Sequence, residues 1–211
     1  MKVCQKMLGM VGTNCYLLIQ EETREAVLID PADCPELLDQ WLRKENVSLS
    51  AIFLTHGHFD HIGACEELRR LWHVPVCALR EEAELLADPY LNLTGQVGQG
   101  YGIVPDRLFT DGEKAEYAGL SMRVIATPGH TAGSCCYYFE DAHVLCSGDT
   151  LFAESVGRTD LPTGNTRVLM ESLQRLKELP ADTSVLPGHG EATTIGYELA
   201  YNPYLQGEFG W

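Results

Sequence analysis

Three of the seven histidines in this chain lie within six residues, with an aspartate among them. They follow the short apolar run at 51–54, which is typical of a strand buried on both faces. Clustering titratable imidazoles in this way is unfavourable unless a cation binds them. The cluster therefore predicts a fold built around a metal site, and its sequence is His56-Gly57-His58-Phe59-Asp60-His61.

The spacing inside this cluster predicts two neighbouring metal positions. In an extended chain, His56 and His58 point to the same side. Asp60 and His61 come one turn later, at the start of a helix, and can face a second point a few ångströms away. The alternative interpretation is a histidine-rich loop in which Asp60 caps the helix.

Other candidate ligands lie later in the chain, each directly after a predicted strand. His130 and His189 both follow a Pro-Gly turn, which lets the backbone bend sharply and present the ring inward. Asp149 also follows a strand, and its carboxylate can bridge two cations. Taken singly, each would be an ordinary turn residue. His73 and His143 lack this setting, and we expect both to be structural or exposed.

Apolar periodicity predicts strands followed by helices in two halves of one domain that spans residues 1–211. The halves join near 92–112, where the Gly- and Gln-rich segment 92–101 predicts a mobile surface loop or a crossing. Asp33 is predicted to cap a helix that begins near Pro35. The apolar residues of this helix fall on one face at helical spacing, which predicts that the helix covers a sheet, and they are Leu37, Leu38, Trp41 and Leu42. Strands are predicted at 15–19, 27–29, 51–54, 74–79, 122–126, 136–139, 144–146 and 184–186, and further helices at 64–72 and 166–179.

Composition excludes several classes of partner. Thirty acidic and fifteen basic residues leave a net charge of −15, which disfavours nucleic acid. No apolar run approaches the roughly 18 residues of a membrane span. Eight scattered cysteines without a C-x-x-C motif predict reduced thiols. With no secretory signal at the N-terminus, we expect a cytoplasmic protein.

The order H-x-H-x-D-H, G-H, G-D-T and P-G-H-G resembles that of the metallo-β-lactamase-fold hydrolase superfamily. The resemblance implies an α/β fold, a four-layer αββα sandwich with one sheet from each half. It also implies the ligand sets of two metal ions. His56, His58 and His130 would hold one ion, Asp60, His61 and His189 the other, and Asp149 would bridge them.

Two divalent cations are thus the expected cofactors. Zinc is the first expectation, and iron or manganese suit the same ligands. Two bound cations lower the pKa of a shared water and generate hydroxide at neutral pH. We expect this hydroxide, oriented by Asp60, to attack a thioester or ester carbonyl.

Further segments resemble single-domain bacterial relatives of glyoxalase II, the hydroxyacylglutathione hydrolases. They are 150–152, the Gly157-Arg158-Thr159-Asp160 segment, and the tail at 196–204. The resemblance implies a small anionic thioester as substrate. Arg158 falls where the family has a substrate-binding lysine, and we expect it to bind a substrate carboxylate. Its alternative role is a surface ion pair with Asp160.

Several alternatives stay open on the sequence. The persulfide dioxygenase branch keeps the same ligand residues but uses one iron ion and molecular oxygen. A non-catalytic metal-binding module is another. Zinc β-lactamases match less well, because the best-known classes lack an equivalent of Asp149. The sequence does not fix the oligomeric state, since Phe209 and Trp211 can pack within the chain or across an interface.

Overall fold

A computed structural model describes residues 1–207, so Phe209 and Trp211 lie outside the described residues. The strands are β1 (Lys2–Leu8), β2 (Thr13–Ile19), β3 (Glu25–Ile29), β4 (Ser48–Phe53), β5 (Val76–Leu79), β6 (Arg107–Phe109), β7 (Lys114–Tyr117), β8 (Leu120–Ala126), β9 (Cys135–Phe139), β10 (Val144–Gly148), β11 (Leu151–Phe152), β12 (Ser155–Val156), β13 (Ser184–Pro187) and β14 (Thr193–Thr194). The helices are α1 (Pro35–Lys44), α2 (Phe59–Ile62), α3 (Cys65–Trp72), α4 (Ala83–Ala87), α5 (Thr94–Val97), α6 (Thr166–Leu176), α7 (Ile195–Tyr201) and α8 (Pro203–Gln206).

Two six-stranded sheets form the frame of the molecule. The first has the order β1-β2-β3-β4-β5-β6, and the second has the order β14-β13-β10-β9-β8-β7. β2 and β3, which contain the strands predicted at 15–19 and 27–29, are antiparallel neighbours. β4 lies between β3 and β5 and is parallel to both, and residues 51–54 are fully buried, as their continuous apolar run predicts. The chain passes from the first sheet to the second between Phe109 and Lys114.

The sheets pack face to face, and helices cover both outer surfaces. Side chains from both sheets form the inner core, where the rings of Phe53 and Tyr137 lie 5.0 Å apart. A second core joins the first sheet to α1 and α3, and a third joins the second sheet to α6, α7 and α8. These layers confirm the predicted four-layer αββα sandwich.

Helix α1 covers the first sheet, as its apolar spacing predicts, but its start differs from the prediction. Leu38, Trp41 and Leu42 are buried against the sheet. The predicted cap at Asp33 was wrong, because Cys34 occupies the cap position with a left-handed φ of 54°. The Asp33 carboxylate accepts a hydrogen bond from the Cys34 amide instead, at 2.7 Å, and reaches no helical N–H.

Several elements were not predicted from the sequence, among them β6, β7, α4, α7 and α8. Lys2–Leu8 forms an edge strand that was not predicted, because it alternates between partly and fully exposed positions and leaves no apolar run. In the segment 92–101, where a mobile surface loop or a crossing was predicted, α5 forms one helical turn, and the chain leaves the first sheet only after Phe109. No helix within residues 1–207 combines the length and the apolar character needed to cross a membrane.

Asn92 holds the 92–101 segment in place. It is fully buried, and its amide donates to the carbonyls of Leu86 and Tyr101 at 3.1 and 2.9 Å. Its side-chain oxygen accepts from the amide and the hydroxyl of Thr94 at 2.9 and 2.7 Å. The loop is therefore fixed by one side chain that satisfies four polar groups.

We expect Asn92→Ala to lower the free energy of unfolding by about 1 to 3 kcal/mol, because it leaves buried polar groups unpaired. Urea denaturation measures the change. Gln99→Ala, an exposed substitution in the same segment, is the control and should stay within about 0.5 kcal/mol of the parent. Equal stability of the two variants would show that Asn92 does not anchor the segment.

Candidate metal centre

The predicted ligands lie after strands whose carboxyl ends meet at one edge of the sandwich. His56 and His58 follow β4, His130 follows β8, Asp149 follows β10 and His189 follows β13. β10 and β13 are parallel, and β9 is antiparallel to both β8 and β10. Three strands of the second sheet that carry candidate ligands therefore end on the same side of that sheet, where they face the end of β4 in the first sheet.

Glycines beside the histidines allow close approach as well as turns. A Cβ atom on Gly188 would overlap the Asp149 carboxylate and the His61 ring. Gly129 has a φ of 135°, and a Cβ there would overlap the backbone of Leu169 at the start of α6. Gly129 and Gly188 thus let the main chain of the two Pro-Gly-His segments lie in direct contact with neighbouring groups, and a side chain at either glycine would prevent this contact.

The first group of ligands is a set of three buried imidazoles, those of His56, His58 and His130. Their ring centroids lie 4.7 to 4.8 Å apart. Nδ1 of His58 lies 2.9 Å from Nε2 of His130. The three candidate ligand atoms lie within 4.8 Å of one another, so that one ion can contact all three.

The second group consists of Asp60, His61 and His189, and Asp149 lies between the two groups. Oδ2 of Asp60 is 3.2 Å from Nε2 of His189 and 3.5 Å from Nε2 of His61. Asp149 reaches His61 at 3.4 Å, His189 at 3.5 Å and His130 at 3.6 Å. Neighbouring ligands of a tetrahedral zinc ion are about 3.3 Å apart, so these spacings suit such an ion.

Unpaired buried atoms test whether this cluster fits metal ions. Within residues 1–207, five buried side-chain nitrogen or oxygen atoms have no hydrogen-bond partner, and four of them belong to the cluster. An unpaired buried polar atom costs about 1 to 3 kcal/mol. Cation binding would offset that cost for Nε2 of His56, Nε2 of His61 and Oδ1 of Asp149. His58 offers its other nitrogen, Nδ1, beside Nε2 of His130, so the donor set fits divalent metal ions. The four atoms are Nε2 of His56, His58 and His61, and Oδ1 of Asp149.

Hydrogen bonds behind the rings fix which nitrogen faces the centre. Nδ1 of His130 lies 2.7 Å from the main-chain carbonyl of Arg158, which can only accept, so Nδ1 carries the proton. Nδ1 of His61 bonds to the carboxylate of Asp30 at 2.9 Å in the same way. Both rings therefore turn Nε2 toward the cluster. Such outer hydrogen bonds orient ligands and raise their basicity.

The histidine pKa values are shifted in opposite directions in the two groups. Burial, reinforced by neighbouring imidazoles, lowers the pKa of His56 well below its ordinary value and that of His58 to about 3. Burial also opposes protonation of His61, but the carboxylates around it outweigh burial and raise its pKa. The first group is thus held neutral, the form that binds metal, and the second group attracts positive charge.

Two residues that support the second group were not predicted. Asp30 accepts from the hydroxyl of Thr55 at 2.6 Å as well as bonding to His61. Asp30 could have been recognised from the sequence, because its carboxylate directly follows an apolar strand, as that of Asp149 does. The hydroxyl of Thr13 donates to Oδ2 of Asp60 at 2.7 Å. Nothing near Thr13 in the sequence indicates this contact.

The cluster opens into a cavity of about 370 Å³. Its walls include Val11, Phe59, Phe152 and Leu161, with ligand side chains at the bottom. A larger hollow of about 830 Å³ lies beside α3, but it is shallow and its charged residues, such as Arg69 and Asp106, pair with one another. The 370 Å³ cavity is therefore the candidate active site.

Arg158 lies at the rim of this cavity. Its guanidinium makes two hydrogen bonds of 2.7 Å to Asp160, and the two side chains are 63% and 68% exposed. The ion pair that was weighed as its alternative role therefore forms. Substrate binding by Arg158 stays a prediction. His73 and His143 lie away from the cluster, and His143 pairs with Asp182 at 2.9 Å.

Comparison with known proteins identifies the family. The model of the metallo-beta-lactamase superfamily matches residues 8–189. The chain belongs to this superfamily. A probable metallo-hydrolase of Bacillus subtilis (strain 168) is 36% identical over 98% of this chain and 99% of its own length. The superfamily member hydroxyacylglutathione hydrolase GloC of Haemophilus influenzae is 34% identical over 91% of this chain and 92% of its own.

Solved structures of the superfamily agree with this assignment. The crystal structure of BLEG-1 B3 metallo-beta-lactamase matches with a TM-score of 0.92 and 40% identity, over 98% of this chain and all of that chain. The structure of TTHA1623 in a di-iron-bound form matches with a TM-score of 0.86 and 35% identity, over 96% of this chain and all of that chain. The resemblance found in the motifs is confirmed.

We expect Asp149→Asn to remove metal from both positions, because Asp149 contacts both groups, and His189→Gln to remove metal mainly from the second. Elemental analysis after dialysis measures the metal content of each variant. His73→Gln, an exposed histidine variant, is the control and should keep the metal content of the parent. Full metal content in the Asp149 variant would contradict a bridging role.

Proposed function

We propose that this protein is a binuclear metal-dependent hydrolase that cleaves thioesters, with a hydroxyacylglutathione-type conjugate as the substrate class. The observation that carries this proposal is a set of seven imidazole and carboxylate ligands at the bottom of an open cavity. His56, His58 and His130 would hold one ion, and Asp60, His61 and His189 the other, with Asp149 shared. We take the ions to be zinc first, with iron or manganese as alternatives.

When bound, the ions would supply hydroxide at neutral pH and stabilise negative charge that develops on a carbonyl oxygen. The chain's own residues prepare the cavity for this chemistry. The Thr13 hydroxyl and Nε2 of His189 both lie against Oδ2 of Asp60 and fix the orientation of its carboxylate. Asp60 can then accept a hydrogen bond from the attacking water or hydroxide and orient it toward the substrate.

The six buried cysteines are not suited to replace the metal centre as the source of the nucleophile. All eight cysteines are free thiols. Burial raises the pKa of Cys136 to about 11 and that of Cys77 to about 12, and it raises the pKa of Cys15, Cys65, Cys135 and Cys146 as well. Thiols held in this state are poor nucleophiles. Free thiols also fit a reducing compartment, which supports the expected cytoplasmic location.

The relatives support the substrate class. The similarity to a hydroxyacylglutathione hydrolase extends over nine-tenths of both chains. The cavity offers an apolar wall for an acyl group and one cation at the rim for a carboxylate. A thiolate is a good leaving group, so that thioester cleavage needs less general acid assistance than amide cleavage. The similarity to a protein in a di-iron-bound form supports two metal positions.

A second candidate activity is β-lactam hydrolysis. The protein named BLEG-1 B3 metallo-beta-lactamase is 40% identical to this chain over nearly its full length. Its reaction would use the same cavity and the same hydroxide. The dioxygenase alternative differs from both because it consumes oxygen.

We expect the zinc-loaded protein to hydrolyse S-D-lactoylglutathione at a kcat/KM at least a hundredfold above that for a chromogenic cephalosporin. Free thiol release measures the first reaction, and absorbance measures the second. The iron-loaded protein is assayed in parallel for oxygen uptake with glutathione persulfide. Oxygen uptake without thioester hydrolysis would establish the dioxygenase, and faster cephalosporin turnover would establish the β-lactamase.

We expect Arg158→Ala to lower kcat/KM for an anionic thioester by about tenfold and to affect a neutral thioester far less. This decrease in kcat/KM should be modest, because the guanidinium is exposed to solvent and already forms an ion pair with Asp160. Alanine keeps the carbonyl that holds His130, so the metal content should not change.

Asp160→Asn is the matched variant, because it releases Arg158 from its ion pair. It should keep or raise kcat/KM for the anionic substrate. Equal losses for charged and neutral thioesters in Arg158→Ala, or no loss for either, would remove Arg158 from substrate recognition.

A further inference from the structure

Glu82 is a buried carboxylate outside the ligand set. It ends the 3-10 turn Arg80–Glu82 after β5 and is 1% exposed. Oε1 accepts from the amide of Gly57 at 2.8 Å, and Oε2 accepts from the amide of Gly133 at 2.9 Å. The hydroxyl of Thr131 lies 3.0 and 2.9 Å from the two oxygens. All of these donors are neutral.

These donors belong to the two loops that carry the first group of metal ligands. Gly57 lies between His56 and His58, and Thr131 directly follows His130. A Cβ atom on Gly133 would overlap the main chain of Glu82, so this loop packs directly on the turn. One carboxylate therefore joins the loop of the first sheet to the loop of the second sheet, and these two loops carry all three imidazoles of the first group.

The charges around Glu82 are unbalanced. Within residues 1–207, no Lys, Arg or His forms an ion pair with it, and burial raises its pKa to about 7. Burying a carboxylate without an opposite charge is costly. The second ligand group holds carboxylates of its own, with Asp60 as a ligand and Asp30 behind His61. The first group has three neutral imidazoles and only the shared Asp149.

We propose that Glu82 is a positioning residue for the first metal position, where it fixes the two ligand loops and supplies negative charge that the bound ion balances. The inference rests on metal binding by His56, His58 and His130, as proposed above. Glu82 does for this group what Asp30 does for His61, but it acts through main-chain amides instead of a ring nitrogen.

The test measures zinc affinity by competition with a chromophoric chelator. Glu82→Gln keeps the shape of the side chain but removes its charge, and its amide group must face an N–H donor at one of the two glycines. We expect a 10- to 100-fold weaker affinity at the first position, the range for residues that orient ligands. In the His189→Gln background, which isolates the first position, the same loss should appear in the remaining ion.

A second readout separates positioning from a general structural role. Zinc should raise the Tm of Glu82→Gln less than it raises the Tm of the parent, because weaker binding gives less stabilisation. Glu198→Gln is the matched control. Glu198 is a fully buried carboxylate that accepts from the Glu154 amide and the Thr193 hydroxyl, and within residues 1–207 it has no hydrogen bond to the loops that carry His56, His58 and His130. It should keep its zinc affinity within threefold of the parent.

If Glu82→Gln does not fold, Thr131→Val removes one donor to Glu82 and should weaken zinc binding three- to tenfold. Zinc affinity within threefold of the parent in a folded Glu82 or Thr131 variant would overturn the inference. An equal loss in Glu198→Gln would also overturn it. A parent protein that binds no zinc would contradict the metal centre itself, and with it the proposed function.

Discussion

Imidazole nitrogens and carboxylate oxygens that face one another in a buried cluster, without hydrogen-bond partners, need a cation between them. This requirement organises the rest of the structure. Nε2 of His56 and His61 and Oδ1 of Asp149 are buried and unpaired, although nearly every other buried polar side-chain atom in residues 1–207 is satisfied. The strands end where they do, and glycine occupies position 188, because these atoms must converge on one small volume.

The centre also depends on the contact between the two sheets. The ligands before residue 62 come from the first sheet, and the others come from the second. Hydrogen bonds cross between the sheets beside them. The amide of Asn14 donates to the carbonyl of Gly188 at 2.7 Å, and the hydroxyl of Tyr16 donates to that of Pro187 at 2.8 Å. A change in the packing of the sheets would therefore move His189 relative to Asp60.

Residues whose role is local in the sequence could be predicted. The helical spacing of Leu38, Trp41 and Leu42 predicted α1, and the apolar run at 51–54 predicted a central strand. The histidine motifs and Asp149 indicated candidate ligands, because each motif stands directly after a strand, and the structure brings these side chains into one cluster. The edge strand Lys2–Leu8 could not be predicted in this way, since its stability comes from pairing with β2 rather than from burial.

The supporting residues of the site were harder to predict, because their partners are distant in the sequence. Glu82 acts on Gly57 and Gly133, which lie 25 and 51 positions away. Thr13 acts on Asp60 across 47 positions. Neither lies in a recognisable motif, and only the folded chain brings the partners together. The prediction that Asp33 caps α1 was wrong, because Cys34 occupies the cap position in a left-handed conformation and the Asp33 carboxylate bonds to the Cys34 amide.

At position 158 the main chain and the side chain face different surroundings. The main-chain carbonyl holds the His130 ring, and any amino acid can provide that carbonyl. The side chain lies at the rim of the cavity, where its identity does not affect the ring. Mutation can therefore exchange the rim side chain during evolution without disturbing the metal ligands. An ancestral enzyme with this arrangement could acquire a new substrate preference in a single step while keeping its hydrolytic chemistry intact.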